Sequence, residues 1–342
     1  MPPGITSTMR SAYPGYLTPT QEEFKTLWNA CLFVFDTSVL LNFYEYSPET
    51  TENLKKIMTA LKDRLWMPHH VGWEFVRRRR TVIHKQNKPY EENMKKLKDV
   101  LDKIAAKDSH QVLSDPCLQK LKAAIDSVQN EFDQAKQKLE DSHVTFLEDL
   151  YKGRIGPAYM REEKAEIEKE GQKRYAAKIP PGYKDKEPEE SPTDNPCGDY
   201  LIWCQMKIHA KSEAKPIIFI TDETKEDTWW KLPNSKTIGP RPEMIEEFLS
   251  DTEQRFYMYS ATSFLKHVGE YVNVPVDQST IDEAKSLQLK KHGEALAKLS
   301  TVREDAAAKI TELTKVCEDA AAKITELTKV REEALGRLAE LF

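Results

Sequence analysis

The sequence predicts an α/β protein that carries a helical insertion and a long C-terminal helix. Two apolar, β-prone runs at residues 32–35 and 217–220 are expected to be buried strands, and helical patterns follow them. Each run ends on acidic and hydroxyl residues. Because functional groups of open α/β sheets collect outside the carboxyl ends of the strands, we expect the site at that edge.

The composition leaves most classes of function open. A chain of 342 residues with 39% hydrophobic residues can bury a sizeable core. Its net charge of -5 favours no particular partner, because nucleic acid binding depends on local basic patches.

The cysteines and the hydropathy exclude several other classes. The five cysteines are scattered without a C-x-x-C spacing, which argues against zinc or redox sites and for reduced thiols in a cytoplasmic protein. A run of about 18 apolar residues and a signal-peptide pattern are both missing, so we expect neither a membrane span nor secretion.

The first third of the chain alternates helical and strand patterns. Residues 1–20, rich in Pro, Gly, Ser and Thr, are expected to form a flexible arm, and residues 21–275 an α/β domain. Helical patterns cover residues 20–30 and 48–61, and a further strand is expected at residues 64–68. A helix then opens with His69 and continues through a run of four arginines.

A charge-dense helical insertion interrupts the α/β pattern at about residues 88–175. Apolar residues recur there at spacings of three and four, and Asp115-Pro116 breaks the pattern once. We expect two antiparallel helices that pack as a hairpin or a small bundle, followed by another charged helix over residues 160–174.

The α/β pattern resumes after the insertion. A Pro-rich stretch at residues 179–196 is expected to be a surface loop at the rim of the site, and a helix begins at Gly198-Asp199. The remaining strands and helices are expected at residues 217–220, 240–248, 255–259 and 263–272.

The tail, residues 281–342, differs in kind from the rest of the chain. The stretch from Arg303 to Val316 nearly recurs fourteen residues later, which is two heptads, and an apolar stripe recurs every 3.5 residues on average. We expect a coiled coil, through which the chain self-associates or binds a partner helix, rather than a helix folded back on its own domain.

Carboxylates stand at strand ends or in first helical turns of four separate segments. Each alone reads as a helix cap or as a first-turn acid that the helix dipole favours. Brought together, they would repel one another unless a divalent cation lay among them, and hard oxygen ligands suit Mg²⁺ or Mn²⁺. The candidates are Asp36, Glu74, Asp199, Asp222, Glu223 and Asp227.

Basic residues accompany these acids. A metal site of this kind can activate water and stabilise the charge that develops on a phosphodiester, and basic side chains around it would bind the phosphate backbone. The ordinary reading of the arginine run is a solvated helix face. The candidates for the phosphate contacts are Arg77, Arg78, Arg79, Arg80, Lys184 and Lys225.

Several motifs, in order along residues 20–272, resemble those of PIN-like domain nucleases, in particular a bacterial subgroup with a large helical insertion. VFDTSVLLN around Asp36 resembles the first acidic motif of that family, and WEF with Glu74 resembles the second. GDYLIW with Asp199 resembles the third, and IIFITDETKEDTWW the fourth. RYAAKIPPGYKD, GPRPEMIEEF and FYMYSATSFL resemble further segments of the subgroup.

The resemblance implies a three-layer α/β/α fold around a mostly parallel sheet, metal-dependent phosphodiester hydrolysis and a nucleic acid substrate, with RNA favoured over DNA. It also implies an anti-phage or toxin-type role, which a sensor or regulator protein could restrain. Many members carry Asp two positions after the Thr of the fourth motif, where this chain has Glu223. Whether Asp222, Glu223 or Asp227 reaches the metal is therefore left open.

Two other readings compete with the metal-dependent endoribonuclease. In a phosphatase, Asp36 would be an aspartyl nucleophile, but haloacid-dehalogenase-like phosphatases carry a second acid where this chain has Ser38. In a catalytically silent scaffold, the basic faces would bind nucleic acid and the tail would assemble or recruit. The full set of acids disfavours that scaffold.

Overall fold

The central sheet consists of three parallel strands, β1 Leu32–Phe35, β2 Ile217–Ile220 and β5 Phe256–Tyr259, in the order β1-β2-β5. This computed structural model describes residues 8–106, 113–184, 197–233 and 236–339. Helices flank the sheet, so the predicted α/β fold with a parallel central sheet is confirmed. Two further strands, β3 Trp229–Lys231 and β4 Thr237–Pro240, form an antiparallel hairpin that the sequence analysis does not predict.

Helices account for most of the described residues. The helix α2 begins at a capping box, in which Thr20 and Glu23 exchange side chain to backbone hydrogen bonds. The helices are α1 Met9–Ala12, α2 Gln21–Ala30, α3 Thr37–Leu41, α4 Pro48–Ala60, α5 His69–Ala105, α6 Asp115–Leu150, α7 Arg161–Ala176, α8 Gly198–Glu213, α9 Pro242–Thr252, α10 Ala261–Val272 and α11 Gln278–Ala339.

Both faces of the sheet are covered by aromatic packing. On one face, Phe33 of β1 packs against Trp28 of α2 and Phe264 of α10. On the other face, Phe256 of β5 packs against Trp203 of α8, with ring centroids 4.9 Å apart, and against α9. The central strand β2 is therefore buried on both sides, which explains why its sequence is an unbroken apolar run.

The strand expected at residues 64–68 is wrong as a regular strand. Two isolated parallel bridges stand there instead, one between Phe33 and Leu65 and one between Met67 and Ile155. The segment begins at the end of a short 3-10 turn, Lys62–Arg64, and it ends at Pro68, which has no backbone N–H to donate. The segment therefore pairs with β1 on one side and with residue 155 on the other, each through a single bridge.

The helical insertion begins without a break from the α/β domain. The helix α5 runs through Pro89, which is exposed, so the carbonyl that loses its donor can turn to water. Tyr90 of α5 stacks on Phe132 of α6, and Lys136 of α6 pairs with Glu91 at 2.8 Å. The two helices are antiparallel, with the connection at residues 107–112 outside the described residues.

The arm expected at residues 1–20 contacts the domain over its described part. Residues 8–20 contain the short helix α1, and Arg10 binds the carbonyl of Thr18 and the carboxylate of Glu23. Tyr16 lies edge to face against Trp230 of the hairpin. The described part of the predicted flexible arm thus contacts α2 and the hairpin; residues 1–7 are outside the described part of the chain.

The contact pattern divides the chain into residues 1–287 and 288–342. The helix α11 begins within the first unit, where Glu283 accepts hydrogen bonds from the backbone N–H and the hydroxyl of Ser47. Ile281 and Ala284 are buried there. In the second unit, Ile310, Leu313 and Leu327 of the predicted stripe are exposed by 64%, 63% and 68%.

Membrane-spanning character is absent from the described helices, since none of them is both long and apolar enough to cross a bilayer.

Candidate active site

Asp36 follows β1 directly and caps the short helix α3. Its Oδ1 accepts a hydrogen bond of 2.8 Å from the backbone N–H of Thr37. Its Oδ2 accepts hydrogen bonds from the hydroxyls of Ser38, at 2.7 Å, and Thr221, at 2.8 Å. Burial raises the pKa of the Asp36 carboxyl above its usual range, although these three hydrogen bonds act in the opposite direction and the nearby Glu223 adds to the rise.

A small cavity of about 50 Å³ opens at this edge of the sheet. Three carboxylates line it, Asp36 after β1, Asp199 in the first turn of α8 and Glu223 in the loop after β2. Its other lining residues are Pro181, Ile202, Trp203, Met206, Phe219, Thr221, Thr228, Met244 and Met258. The fold thus brings together acids from three distant segments over an apolar floor.

Glu74 lies beside this cavity rather than in its lining. Its Oε2 accepts a hydrogen bond of 2.9 Å from the hydroxyl of Thr37, the residue after Asp36. Its Oε1 is 3.6 Å from Nε2 of His70, one turn earlier on α5. A Cβ atom on Gly198 would lie only 3.1 Å from that Oε1, so Glu74 also abuts the start of α8. Burial, followed by the nearby cations Lys164 and Arg77, lowers the pKa of His70 to about 4.

In the fourth acidic segment, which follows β2, Asp222 and Glu223 make different contacts. Asp222 joins two other elements, because its Oδ2 accepts from the side-chain amide of Asn42 at 2.8 Å and its Oδ1 from the backbone N–H of Ala261 at 3.0 Å. Glu223 instead lines the cavity, and its Oε2 is 3.1 Å from the ammonium of Lys225. The geometry favours Glu223 over Asp222 as the acid that faces the site.

Asp227 is fully buried and connects the rim loop to the hairpin. Its Oδ2 accepts a hydrogen bond of 2.8 Å from the backbone N–H of Lys184. This contact holds the loop against the segment that leads into β3. Asp227 is not among the described residues that line the cavity.

The described part of the rim loop, residues 179–184, packs closely over Asp199. Arg174 of α7 donates to the carbonyl of Pro180 at 2.6 Å and to Glu247 of α9 at 2.6 Å. Gly182 has a φ of 94°, and a Cβ there would overlap the hydroxyl of Tyr175 and lie 3.0 Å from Cβ of Asp199. Glycine is therefore required at this turn. Residues 185–196 of the predicted loop lie outside the described residues.

The predicted basic residues do not share one face. The guanidinium of Arg77 lies 4.2 Å from the ring centroid of Trp73, one turn beyond Glu74, whereas Arg79 turns back to the carbonyl of Val76. Arg78, Arg80 and Lys184 are exposed. Since successive helical residues point about 100° apart, four consecutive arginines cannot all face the same site.

Several groups near the site are missing from the sequence-based candidates. The hydroxyls of Thr37, Ser38 and Thr221 orient the carboxylates, and their position directly after strand ends is the signal that could have identified them. Lys164 of α7 approaches the ring of Trp73, and Arg241 lies 3.5 Å from the hydroxyl of Tyr183. No sequence pattern relates these two cations to the acids, because they come from the insertion and from the start of α9.

The donors suit a hard divalent cation in kind. Carboxylate and hydroxyl oxygens surround the cavity, and the raised pKa of Asp36 is what a bound cation would reverse. Across the described ranges, no three His, Cys, Asp or Glu side chains stand close enough together to hold one ion as they are placed. The fit is therefore one of chemistry and location, with Asp36, Asp199 and Glu223 as the residues that could bind the ion.

A family model described as PIN like domain matches residues 32–244. The match contains Asp36, Glu74, Asp199 and Glu223 and covers more than half of the chain. Comparison with curated proteins and with solved structures gave no match. The family and the parallel sheet with acids at its carboxyl edge agree with each other, and the chain belongs to the PIN-like domain family.

Proposed function

We propose that this protein is a metal-dependent nuclease, most specifically an endoribonuclease. The observation that carries the proposal is the convergence of Asp36, Asp199 and Glu223 on one cavity at the carboxyl edge of the sheet. PIN-like domains are generally nucleases, and divalent metals are typical of them, which supports the same reading.

In this proposal, Asp36, Asp199 and Glu223 hold a Mg²⁺ or Mn²⁺ ion, and Glu74 contributes from the side of α5. When bound, such an ion lowers the pKa of a water molecule and stabilises negative charge on a phosphoryl oxygen. The hydroxyls of Ser38 and Thr221 fix the orientation of the Asp36 carboxylate, as outer hydrogen bonds do for metal ligands.

The substrate is nucleic acid, with RNA favoured over DNA. Lys225, which now pairs with Glu223, can turn to a phosphate once the glutamate is engaged, and Arg77 stands one turn from Glu74. Lys184 is exposed at the rim. Of the four arginines, the geometry supports Arg77 best as a phosphate contact, because Trp73 holds its side chain on the face of α5 that carries Glu74.

The proposed biological setting is a bacterial anti-phage or toxin-type system, in the cytoplasm, with assembly through the tail. The exposed apolar residues of the 288–342 unit support self-association or a partner helix, since apolar side chains at heptad spacing are buried only between helices. A sensor or regulator protein would bind the same tail.

A catalytically silent nucleic-acid-binding scaffold is the second candidate. The observation that favours it is the spacing of the acids: among the described residues, no three of them lie close enough together to bind one metal ion. The two candidates differ in one measurable outcome, because only the nuclease breaks phosphodiester bonds.

The test is a cleavage assay on the full chain with end-labelled single-stranded RNA, structured RNA and DNA. Each substrate is incubated with MnCl₂, with MgCl₂ or with EDTA. We expect internal cleavage products in the presence of a divalent cation, RNA cut faster than DNA, and no product with EDTA. Retarded mobility of intact RNA with no cleavage under any cation would support the scaffold instead.

A further inference from the structure

A second and larger cavity, of about 490 Å³, lies elsewhere in the 1–287 unit. It is enclosed by the N-terminal arm, α2, the β3–β4 hairpin, α9 and β5, and it shares no lining residue with the acidic cavity. Its volume falls in the range of about 300–1,000 Å³ that is typical of small-molecule sites.

The walls of this cavity are mainly apolar and aromatic. Leu27 of α2 and Ile245 and Leu249 of α9 supply aliphatic surface. Trp230 of the hairpin and Tyr257 of β5 supply two aromatic rings. Flat rings and branched aliphatic chains together favour an occupant that carries an aromatic ring system.

The arm is held in place as the outer wall. At Gly15, where φ is 88°, the backbone lies so close to α9 that a Cβ would be 2.9 Å from Cα of Pro242. Arg10 also ties the arm to α2, because its guanidinium pairs with the carboxylate of Glu23 at 3.2 Å. The cavity is therefore bounded by a wall with its own contacts to the domain, and a ligand would not have to order that wall.

The charges on the cavity lining are unbalanced. Two guanidinium groups, those of Arg10 and Arg255, share the single carboxylate of Glu23, at 3.2 Å and 3.4 Å. These three are the charged residues of the described lining, so the lining carries one positive charge more than negative beside an apolar space. The arginine side chains keep 45% and 56% of their surface exposed, which leaves N–H donors accessible to a ligand.

We propose that this cavity binds a small aromatic molecule that carries one negative group. The ring system lies between Leu249, Tyr257 and Trp230, and the carboxylate, sulfonate or phosphate monoester lies against Arg10 and Arg255. A single negative charge matches the net positive charge of the lining, whereas a polyanion would be repelled by the carboxylate of Glu23. The proposal requires no nucleic acid and no metal, so it stands apart from the proposed nuclease function.

The test uses two fluorescent probes that share a ring system and differ in charge. The anionic probe is 8-anilinonaphthalene-1-sulfonate, and the uncharged probe is N-phenyl-1-naphthylamine. Each is titrated into the full chain while its fluorescence is followed. We expect one saturable site per chain, with the anionic probe bound about tenfold more tightly than the uncharged one. Equal affinity for both probes would overturn the charge assignment.

Two variants locate the site. The substitution Leu249→Trp fills the cavity and is expected to weaken both probes by about tenfold or more, whereas the matched Leu289→Trp, at an exposed position of α11, should change neither. The exposed Arg255→Gln is expected to weaken the anionic probe alone. Unchanged binding of both probes by Leu249→Trp, with the unfolding temperature retained, would show that they do not bind in this cavity. Unchanged binding of the anionic probe by Arg255→Gln would also contradict the proposal.

Discussion

The hydroxyl of Thr221 donates a hydrogen bond of 2.8 Å to Oδ2 of Asp36 and so joins the carboxyl ends of β2 and β1. The two strands are paired in parallel register up to Phe35 and Ile220, which places the next residues of both strands side by side. The orientation of the Asp36 carboxylate is therefore set by the sheet itself and by the hydroxyl of Ser38.

Removing this hydroxyl should reduce cleavage more than stability. Thr221→Val keeps the shape of the side chain but leaves Oδ2 of Asp36 with one donor fewer. We expect kcat/KM for RNA to fall by about ten- to a hundredfold, the usual cost of losing an outer contact to a metal ligand. Steady-state cleavage and the unfolding temperature measure both effects. Wild-type cleavage in this variant would show that the Thr221 contact has no catalytic importance.

Asp222 and Glu223 should fail in different ways. Asp222→Ala removes the acceptor of the hydrogen bonds from Asn42 and from the backbone of Ala261, and we expect a loss of about 2–3 kcal/mol in unfolding free energy. Glu223→Ala should lose less, about 1 kcal/mol, because its carboxylate is partly exposed and the backbone N–H groups of Thr224 and Lys225 that it accepts from can turn to water. It should also bind Mn²⁺ more weakly. Urea unfolding and Mn²⁺ calorimetry on both variants measure these effects. Loss of Mn²⁺ binding in Asp222→Ala alone would show that Asp222, and not Glu223, binds the metal.

The sheet and the location of the acids can be predicted from the sequence, but which contacts each acid makes cannot. An unbroken apolar run predicts a buried parallel strand, and the residue that follows the strand must lie at the carboxyl edge of the sheet. Whether Asp222 or Glu223 turns inward depends on Asn42 and on the start of α10, which are distant in sequence. The hairpin β3–β4 was also not predictable from the local sequence, because no two-residue turn signal joins its two strands.

The contacts of the N-terminal arm could not be predicted from the local sequence. The Pro- and Gly-rich composition predicts a flexible arm, and Gly15 allows the described part of the arm to approach α9 closely. Local propensity cannot report such a contact, because it depends on Pro242, more than two hundred residues away.

Stability should depend on the pH through Glu247. Burial raises the pKa of this carboxyl, but the hydrogen bonds from Lys207, Arg174 and Trp203 outweigh it and hold the pKa below the usual 4.5. A lowered pKa means that the ionised carboxylate stabilises the fold above about pH 4.5 and that this contribution is lost as the pH falls further.

The substitution Glu247→Gln tests this. At pH 7 we expect it to cost about 2 kcal/mol, since two charged partners lose their acceptor, and the difference from wild type should shrink below pH 4.5. Urea unfolding at pH 7 and pH 3.5 measures the difference, and Glu148→Gln on the exposed side of α6 is the control. A cost that did not depend on pH would contradict the ionised state of Glu247.

The tail should be separable from the domain at Leu287 but not earlier. Residues 281–287 include the buried Ile281 and Ala284 and the contacts of Glu283 with Ser47, so deletion of residues 281–342 should destabilise the domain. Deletion of residues 288–342 should leave the unfolding temperature unchanged and reduce the mass measured by light scattering to that of one chain. The same protomer count in the full chain and in this deletion would exclude self-association through the tail.

The most direct test of the proposed nuclease is the cleavage of labelled RNA in MnCl₂ by the wild-type protein and by Asp36→Asn, with Asp102→Asn on the exposed side of α5 as the matched control. We predict that Asp36→Asn loses cleavage by more than about a hundredfold while its unfolding temperature is retained or raised, because a neutral amide costs less to bury than a carboxylate. Asp102→Asn should cleave as the wild type does. Equal cleavage by Asp36→Asn and the wild type would contradict the account.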